Sequence, residues 1–174
     1  MLWFDSDMIK KESHCVYIAL GSNQGQREFH LAKAIEKISC VGNITGRSSL
    51  YVSEPWMVDN NHGDYLNMVL RVETVLNPIV LWKRLTEIEI ELGRNEKGLK
   101  KPRKIDIDIL LYGDVVIDSN SLTIPHAQMH LRPFVMVPMT EIAPRLKHPQ
   151  IGLSMMDLSK KLPYSRLNKL NVNL

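Results

Sequence analysis

The ten residues at 104–113, KIDIDILLYG, constrain the fold of this chain more than any other stretch. Residues 105–111 have the apolar content of a buried strand, but Asp106 and Asp108 interrupt them. Because successive side chains of a strand point to opposite faces, the two aspartates share one face and the isoleucines take the other. Two carboxylates on a partly buried face repel each other and lose solvation, so they need a cation, a shared proton or a basic neighbour. The other reading of the same pattern is an edge strand whose outer face is solvated.

The length of 174 residues fits one domain that is large enough to bury its own core. We expect an N-terminal extension over 1–14, a single domain over 15–162 and a C-terminal tail over 163–174. No apolar run approaches the roughly 20 residues needed to cross a bilayer, and the first residues resemble neither a secretory signal nor a transit peptide. The two cysteines argue for a reducing compartment and against a disulfide framework or a zinc site. These features predict a soluble, cytoplasmic protein without a membrane partner.

The charge of the chain is nearly balanced, with 22 Lys and Arg against 19 Asp and Glu. This mild excess does not indicate a nucleic-acid partner. Locally, the stretch RNEKGLKKPRK at 94–104 is dominated by basic residues, which predicts an exposed loop that attracts a polyanion. A solvated charge run is the ordinary alternative.

Hydrophobic periodicity predicts the order β-α-β-β-α-β between residues 15 and 112. The predicted strands are 15–20, 45–52, 65–74 and 105–111, and the predicted helices lie within 26–40 and 78–92. A hairpin over 115–125 and short helices follow, because three prolines interrupt residues 132–144. This order is typical of an α+β, ferredoxin-like fold with both helices on one face of an antiparallel sheet and the other face open for a site.

The second helix has clear signals at both ends. Asn77 is placed to cap it, Pro78 suits its first turn and Gly93 suits its end. At 100° per residue, Glu89 falls beside the apolar stripe, so we expect it on the rim between core and solvent.

Common nucleotide-binding motifs are absent from the sequence, including the P-loop, the Rossmann glycine pattern and the kinase motifs. The GSNQG turn after the first strand can present amides to a phosphate, but an Asn near a helix start is more often a cap. Two carboxylates suit Mg²⁺ that also takes oxygens from a nucleotide's phosphates. Arg94, Lys100, Lys101 and Arg103 would then neutralise polyphosphate charge.

Seven motifs together are similar to one family. LGSN, DYLN, E-x-x-x-GR, PR-x-x-D-I-D-I-L, LTIPH, RPF and EIAP occur in the order and spacing of the 6-hydroxymethyl-7,8-dihydropterin pyrophosphokinases of folate biosynthesis. The resemblance runs from about Val16 to Pro144. It implies transfer of pyrophosphate from ATP to the hydroxymethyl oxygen of the pterin, release of AMP, and two Mg²⁺ ions.

The resemblance also implies roles for individual residues. Catalysis would fall to Arg94, Arg103, Asp106 and Asp108, and the two aspartates would bind both metal ions. ATP would contact Glu89, Ile109, Thr123, His126 and Arg132. The pterin would lie among Ser53, Glu54, Pro55, Trp56, Tyr65, Asn67 and Phe134, with Tyr65 and Phe134 on the two faces of the ring and Asn67 at its amide edge.

The chain departs from the family pattern at a few positions, namely Trp56, Thr86, the pair Lys100-Lys101, and Ala127. We expect altered ATP affinity or loop dynamics and no change of reaction. Two other functions remain open on the residues alone. A ferredoxin-like fold also serves RNA-binding modules, which stack bases on aromatics of the central strands, and a small metal-dependent phosphatase would use the same Asp pair.

Overall fold

The structure is a computed structural model that describes residues 12–56, 63–94, 102–163, 167–171 and 174. In chain order the elements are β1 (His14–Ser22), α1 (Arg27–Ile38), β2 (Asn43–Arg47), β3 (Leu50–Ser53), β4 (Tyr65–Thr74), α2 (Pro78–Glu91), β5 (Asp106–Tyr112), β6 (Ile117–Asp118), β7 (Thr123–Ile124), a 3-10 helix (Met129–Leu131), α3 (Pro133–Ile142), α4 (Met155–Ser159) and β8 (Leu167–Leu170). Lys100, Lys101 and most of the predicted N-terminal extension lie outside the described residues.

The chain is a mixed α/β protein built on a six-stranded antiparallel sheet. Its strands follow the order β5-β1-β4-β3-β8, and β2 also pairs with β4. The long central pair runs from His14 opposite Thr74 to Ser22 opposite Leu66. Because β1 ends where β4 and β5 begin, one end of the sheet brings three segments together.

Helices α1 and α2 cover one face of the sheet. Their buried apolar residues form a cluster with alternate residues of the strands, including Ile18 of β1, Leu70 of β4 and Ile107 of β5. Ile105, Ile107 and Ile109 all belong to this cluster, as the alternation in the sequence predicts. The aspartates between them therefore lie on the opposite face.

That opposite face is not open, contrary to the expectation from sequence. A second cluster joins Tyr17, Val69 and Leu111 of the sheet to residues of α3 and α4. Tyr17, Val69 and Leu111 are large and apolar enough to need cover, so the C-terminal helices pack on them. The end of this face, where β1 stops, is accessible as a cavity.

The predicted strand 45–52 is two strands with a break at Ser48. Ser48 N donates to Val69 O at 2.9 Å, and Ser48 Oγ accepts from Val69 N at 2.9 Å, so one serine satisfies both backbone groups of Val69. The chain then continues as β3, which pairs with the start of β4 and with β8. The serine side chain replaces a ladder partner, and periodicity alone does not reveal this.

The caps of α2 agree with the prediction. Asn77 accepts a hydrogen bond from Val80 N, Pro78 begins the helix, and Gly93 has a φ of 93°, which is costly for residues with a side chain. The helix after Arg132 is longer than expected. Helix α3 has ten residues with Pro138 inside, and Pro138 is buried in the helix.

Asn23 does not cap α1. The residue before the helix is Gln26, and it makes no side-chain capping bond. The side chain of Asn23 is directed elsewhere, to the loop that precedes β5.

The segment expected as a C-terminal tail contributes β8 to the main sheet, next to β3. Sequence analysis missed this strand. In the hairpin region, β6 and β7 form a short antiparallel pair. Among the described residues, no helix has the length and apolar character of a membrane span.

Candidate active site

A cavity of about 420 Å³ lies at the end of the sheet where β1 stops. It is lined by six residues expected for catalysis and ATP, namely Arg94, Arg103, Asp106, Asp108, His126 and Arg132. It is also lined by six residues expected for the pterin, namely Ser53, Glu54, Trp56, Tyr65, Asn67 and Phe134. Residues far apart in sequence thus meet in one space, whose size suits small-molecule ligands.

Gly21 joins the two sides of this cavity. It is the register partner of Asn67 on β4 and of Asp106 on β5. A Cβ at this position would lie 3.5 Å from Asn67 Oδ1, 3.8 Å from Tyr65 Cδ1 and 3.9 Å from Asp106 Cβ. Because Gly21 has no side chain, space is left between the Asn67 amide on one wall and the Asp106 carboxylate on the other.

Asp106 belongs to a chain of charges that begins in the core. Arg94 Nη1 donates to Asp106 Oδ1 at 2.5 Å and also to Glu89 Oε1. Glu89 Oε1 accepts in addition from Ile107 N at 2.7 Å. One carboxylate of α2 thereby fixes both Arg94 and the start of β5.

The expected rim position of Glu89 is wrong, because its exposed fraction is 0%. The angle from the apolar stripe indicated an edge, but the hydrogen bonds from Arg94 and Ile107 allow the carboxylate to be buried. In this structure Glu89 does not line the cavity.

Arg103 connects Asp106 to an aromatic side chain. Its Nη1 lies 3.3 Å from Asp106 Oδ2, and its Nη2 donates to Tyr65 Oη at 3.4 Å. The guanidinium carbon lies 5.9 Å from the centre of the Tyr65 ring. The cation thus lies between the carboxylate and the wall where a flat ligand would stack.

Asp108 has looser partners than Asp106. Its Oδ2 is 3.8 Å from both His126 Nε2 and Arg132 Nη1. Burial, together with the negative charge of Asp106, raises the pKa of Asp108 to about 7. A cation brought by a ligand would favour the charged form of this carboxylate.

His126 is a neutral residue at pH 7. Burial, together with the positive charge of Arg132, lowers the pKa of His126 to about 4. Its Nδ1 accepts from Gln128 N at 3.2 Å, so the proton of the neutral ring belongs on Nε2, which faces Asp108. His126 can donate a hydrogen bond to an oxygen in the cavity.

The other wall is neutral and held by the sheet. Asn67 has an exposed fraction of 5%, and its Nδ2 donates to Ser53 Oγ at 3.0 Å and to Tyr51 O at 3.2 Å. These bonds fix the plane of the amide, whose Oδ1 is the group nearest to Gly21. Trp56 packs edge-to-face against Phe134, with ring centres 6.0 Å apart.

Some expected residues do not line the cavity. Ile109 is packed in the core under α1 and α2, and Pro55, Thr123 and Glu89 are outside the lining. The lining includes residues that sequence analysis did not select, namely Ala19, Leu20, Gly21, Gln128 and Val135. Gln128 accepts from Arg132 Nη2 at 2.9 Å, a bond whose only sequence signal is a spacing of four residues.

The donor set fits Mg²⁺. Asp106 and Asp108 come from one face of β5 into the cavity, and among the described residues no cluster of three or more His, Cys, Asp or Glu is arranged to hold a metal ion. Magnesium commonly takes one or two protein carboxylates and completes its shell with water and substrate phosphates. A carboxylate pair beside three arginines is the kind of arrangement that suits metal-assisted transfer of a phosphoryl-type group from a polyphosphate.

Comparisons with known proteins agree with this class. The family model of 7,8-dihydro-6-hydroxymethylpterin-pyrophosphokinase (HPPK) matches residues 17–144. The chain is 42% identical over 134 residues to the 2-amino-4-hydroxy-6-hydroxymethyldihydropteridine pyrophosphokinase of Aquifex aeolicus. This match covers 77% of this chain and 83% of that protein. It is 40% identical over 157 residues to the enzyme of the same name from Haemophilus influenzae. This second match covers 89% of this chain and 97% of that protein.

A solved structure shows the same fold. The Plasmodium falciparum HPPK-DHPS structure matches 87% of this chain with a TM-score of 0.71 at 17% sequence identity. The chain spans 44% of that longer protein. The chain belongs to the 7,8-dihydro-6-hydroxymethylpterin-pyrophosphokinase family of folate-synthesis enzymes.

Proposed function

We propose that this cavity transfers the terminal pyrophosphoryl group of ATP to the hydroxymethyl oxygen of 6-hydroxymethyl-7,8-dihydropterin, with release of AMP. One observation carries this proposal. Gly21 has a carboxylate for metal binding on one side and a fixed amide on the other, so a charged polyphosphate and a flat polar ring can meet in one cavity.

The neutral wall is assigned to the pterin. Tyr65 and Phe134 supply aromatic faces, and Asn67 presents an amide oxygen whose plane is fixed by Ser53 and Tyr51. Trp56 stands against Phe134, where it can close one edge of the ring site. Ser53 and Glu54 line the same side, and Pro55 lies between them and Trp56 in the sequence.

The charged wall is assigned to the nucleotide. Arg94, Arg103 and Arg132 neutralise the phosphate oxygens, and His126 donates from Nε2. Asp106 and Asp108 are proposed to hold two Mg²⁺ ions. When bound, such ions neutralise phosphate charge and orient the groups that react. Among the expected ATP contacts, Ile109 and Thr123 are proposed to act through their backbone, and Glu89 through Arg94.

The reaction needs little covalent help from the protein. The hydroxymethyl oxygen attacks the β-phosphorus of ATP in line with the departing AMP oxygen, so orientation and charge neutralisation supply most of the rate. Three arginines converge on the two aspartates. On binding, we propose that they exchange these carboxylates for phosphate oxygens.

The strand order, with β5 and β4 on either side of β1, supports the ferredoxin-like assignment of the core with an added hairpin. Residues 15–162 are proposed as the catalytic domain, supplemented by β8. The RNA-binding alternative is disfavoured, because α3 and α4 cover the sheet face on which such modules stack bases.

The test is an AMP assay with purified protein. Incubation with ATP, Mg²⁺ and the hydroxymethyl-dihydropterin is expected to form AMP, and omission of the pterin or chelation of Mg²⁺ is expected to stop it. Release of ADP or phosphate instead would favour the phosphatase alternative, and AMP formation without the pterin would contradict the proposal.

A further inference from the structure

We propose that Asn23 is a positioning residue that fixes Arg103 in the active site and joins it to the segment leading to Tyr65. The inference rests on the proposed function, since it concerns the arginine that faces the transferring group. Asn23 follows β1 directly and has an exposed fraction of 8%.

Asn23 and Arg103 form a reciprocal pair. Arg103 N donates to Asn23 Oδ1 at 2.8 Å, and Asn23 N donates to Arg103 O at 3.2 Å. Both backbone groups of Arg103 are thus satisfied by one residue, although 80 positions separate the two in sequence. A backbone held at both its donor and its acceptor has a fixed position, and this limits where its side chain can lie.

The position of the Arg103 backbone determines whether its guanidinium reaches its partners. Its nitrogens reach Asp106 at 3.3 Å and Tyr65 Oη at 3.4 Å, both at the outer limit of such contacts. A small shift of the backbone would therefore move the cation off both partners. Reaction rates are sensitive to such shifts, because charge stabilisation requires the cation at a fixed place.

The second arm of Asn23 reaches the segment that leads into β4. Its Nδ2 donates to Gly63 O at 3.4 Å, two residues before Tyr65. Arg27 Nη1 donates to the next carbonyl, Asp64 O, at 2.7 Å. Asn23 thus joins the end of β1, the start of the β5 approach and the start of β4.

A capping role would explain the residue without reference to the site, but the structure does not support it. Helix α1 begins after Gln26 and has no side-chain capping bond. The asparagine amide makes hydrogen bonds to residues distant in sequence, Arg103 and Gly63.

Kinetics of three variants test the proposal. Asn23→Ala removes both arms and is expected to lower kcat about 100-fold. Asn23→Asp keeps the acceptor for Arg103 N but loses the donor to Gly63 O, so kcat is expected within about threefold of wild type while the KM for the pterin rises about tenfold. Ser22→Ala is the matched control at the neighbouring position, the last residue of β1, because Ser22 is buried and its Oγ makes no hydrogen bond within the described part of the chain.

A double-mutant cycle with Arg103→Ala separates positioning from a general structural role. If Asn23 acts through Arg103, Asn23→Ala changes kcat by less than about threefold in the Arg103→Ala background. An equal loss in both backgrounds, or an Asn23→Asp variant as slow as Asn23→Ala, would overturn the proposal. The variants are compared at a temperature where circular dichroism shows each to be folded.

Amide hydrogen exchange tests the anchor without reference to activity. The Arg103 amide is expected to exchange faster in Asn23→Ala and to stay protected in Asn23→Asp and Ser22→Ala. Unchanged protection in Asn23→Ala would overturn the proposal even if the enzyme slows. If wild-type protein forms no AMP, the proposed function fails, while the exchange result still decides whether Asn23 anchors Arg103.

Discussion

The two walls of the cavity meet at Gly21, and different kinds of interaction hold each wall in place. On the β5 side, Asp106 is held by ion pairs that run through Arg94 to the buried Glu89. On the β4 side, Asn67 is held by neutral hydrogen bonds to Tyr51 and Ser53. The first wall is held by charged groups, and the second by neutral hydrogen bonds that fix the orientation of an amide.

This difference predicts different consequences of substitution. Charge on the β5 wall is useful where charge moves in the reaction, so its loss is expected in kcat. Under the proposed function, the β4 wall would bind the ring equally before and during the reaction, so its loss is expected in KM. Five substitutions test this contrast.

The largest effect is expected from the aspartates. Asp106→Asn and Asp108→Asn keep the shape but remove the charge, so each is expected to lower kcat about 1000-fold or more, as for the loss of several kcal/mol of transition-state stabilisation. Steady-state AMP formation measures this. Asp118→Asn on the exposed β6 is the control and is expected to behave as wild type. Unfolding of the Asp variants would instead indicate a structural pair.

Removal of the buried Glu89 carboxylate, which anchors Arg94, is expected to lower stability more than it affects the reaction. Glu89→Ala leaves Arg94 in the core with one partner fewer, which is expected to lower the free energy of unfolding by about 3 to 5 kcal/mol. Urea titration with comparison of midpoints and slopes measures it. Glu91→Ala on the same helix removes an exposed pair with Lys37 and should leave the midpoint nearly unchanged. Equal effects of the two variants would contradict the anchoring role of Glu89.

The neutral wall is tested at Asn67. Asn67→Ala removes the fixed amide and is expected to raise the KM for the pterin about tenfold to 100-fold, the range for a lost buried hydrogen bond, while kcat changes less. Asn168→Ala on the exposed part of β8 is the control. A loss confined to kcat would show that the two walls do not divide the work as described.

The smallest effect is expected behind the neutral wall. Glu141 of α3 accepts from Ser49 Oγ at 2.7 Å and from Tyr51 Oη at 3.0 Å. Although burial acts to raise it, these hydrogen bonds keep the pKa of Glu141 below its ordinary value. Glu141→Gln is expected to cost about 1 to 2 kcal/mol of stability at pH 7.

The pH dependence of that cost follows from the lowered pKa. A carboxylate with a lowered pKa stabilises the fold above the pKa of the unfolded chain, and the contribution is lost as the pH falls through the folded pKa. The difference between wild type and Glu141→Gln should therefore be constant near neutral pH and shrink below about pH 4.5. Thermal unfolding across this range measures it, and a difference that grows in acid would contradict the assignment.

Periodicity and local caps were enough to predict β1, β4, β5, α1 and α2 and the face on which the aspartates lie. They were also enough to place Asn77, Pro78 and Gly93 at the ends of α2. The residues of both walls came mainly from the family resemblance, since a lone tyrosine or phenylalanine carries no sign of its use.

The structural features that could not be predicted from the sequence depend on contacts between residues distant in the chain. Glu89 is buried because Arg94 and Ile107 bind it, Ser48 divides a strand because Val69 needs a partner, and β8 joins the sheet because β3 offers a free edge. The cover of the second sheet face by α3 and α4 likewise follows from tertiary packing. No local pattern contains this information.

The most direct test of the account is to follow the phosphorus products by ³¹P NMR. With ATP, Mg²⁺ and the hydroxymethyl-dihydropterin, the account predicts that AMP and a pterin diphosphate accumulate in equal amounts, and that neither forms with Asp108→Asn. Accumulation of ADP with a pterin monophosphate, or of AMP with free pyrophosphate, would contradict it.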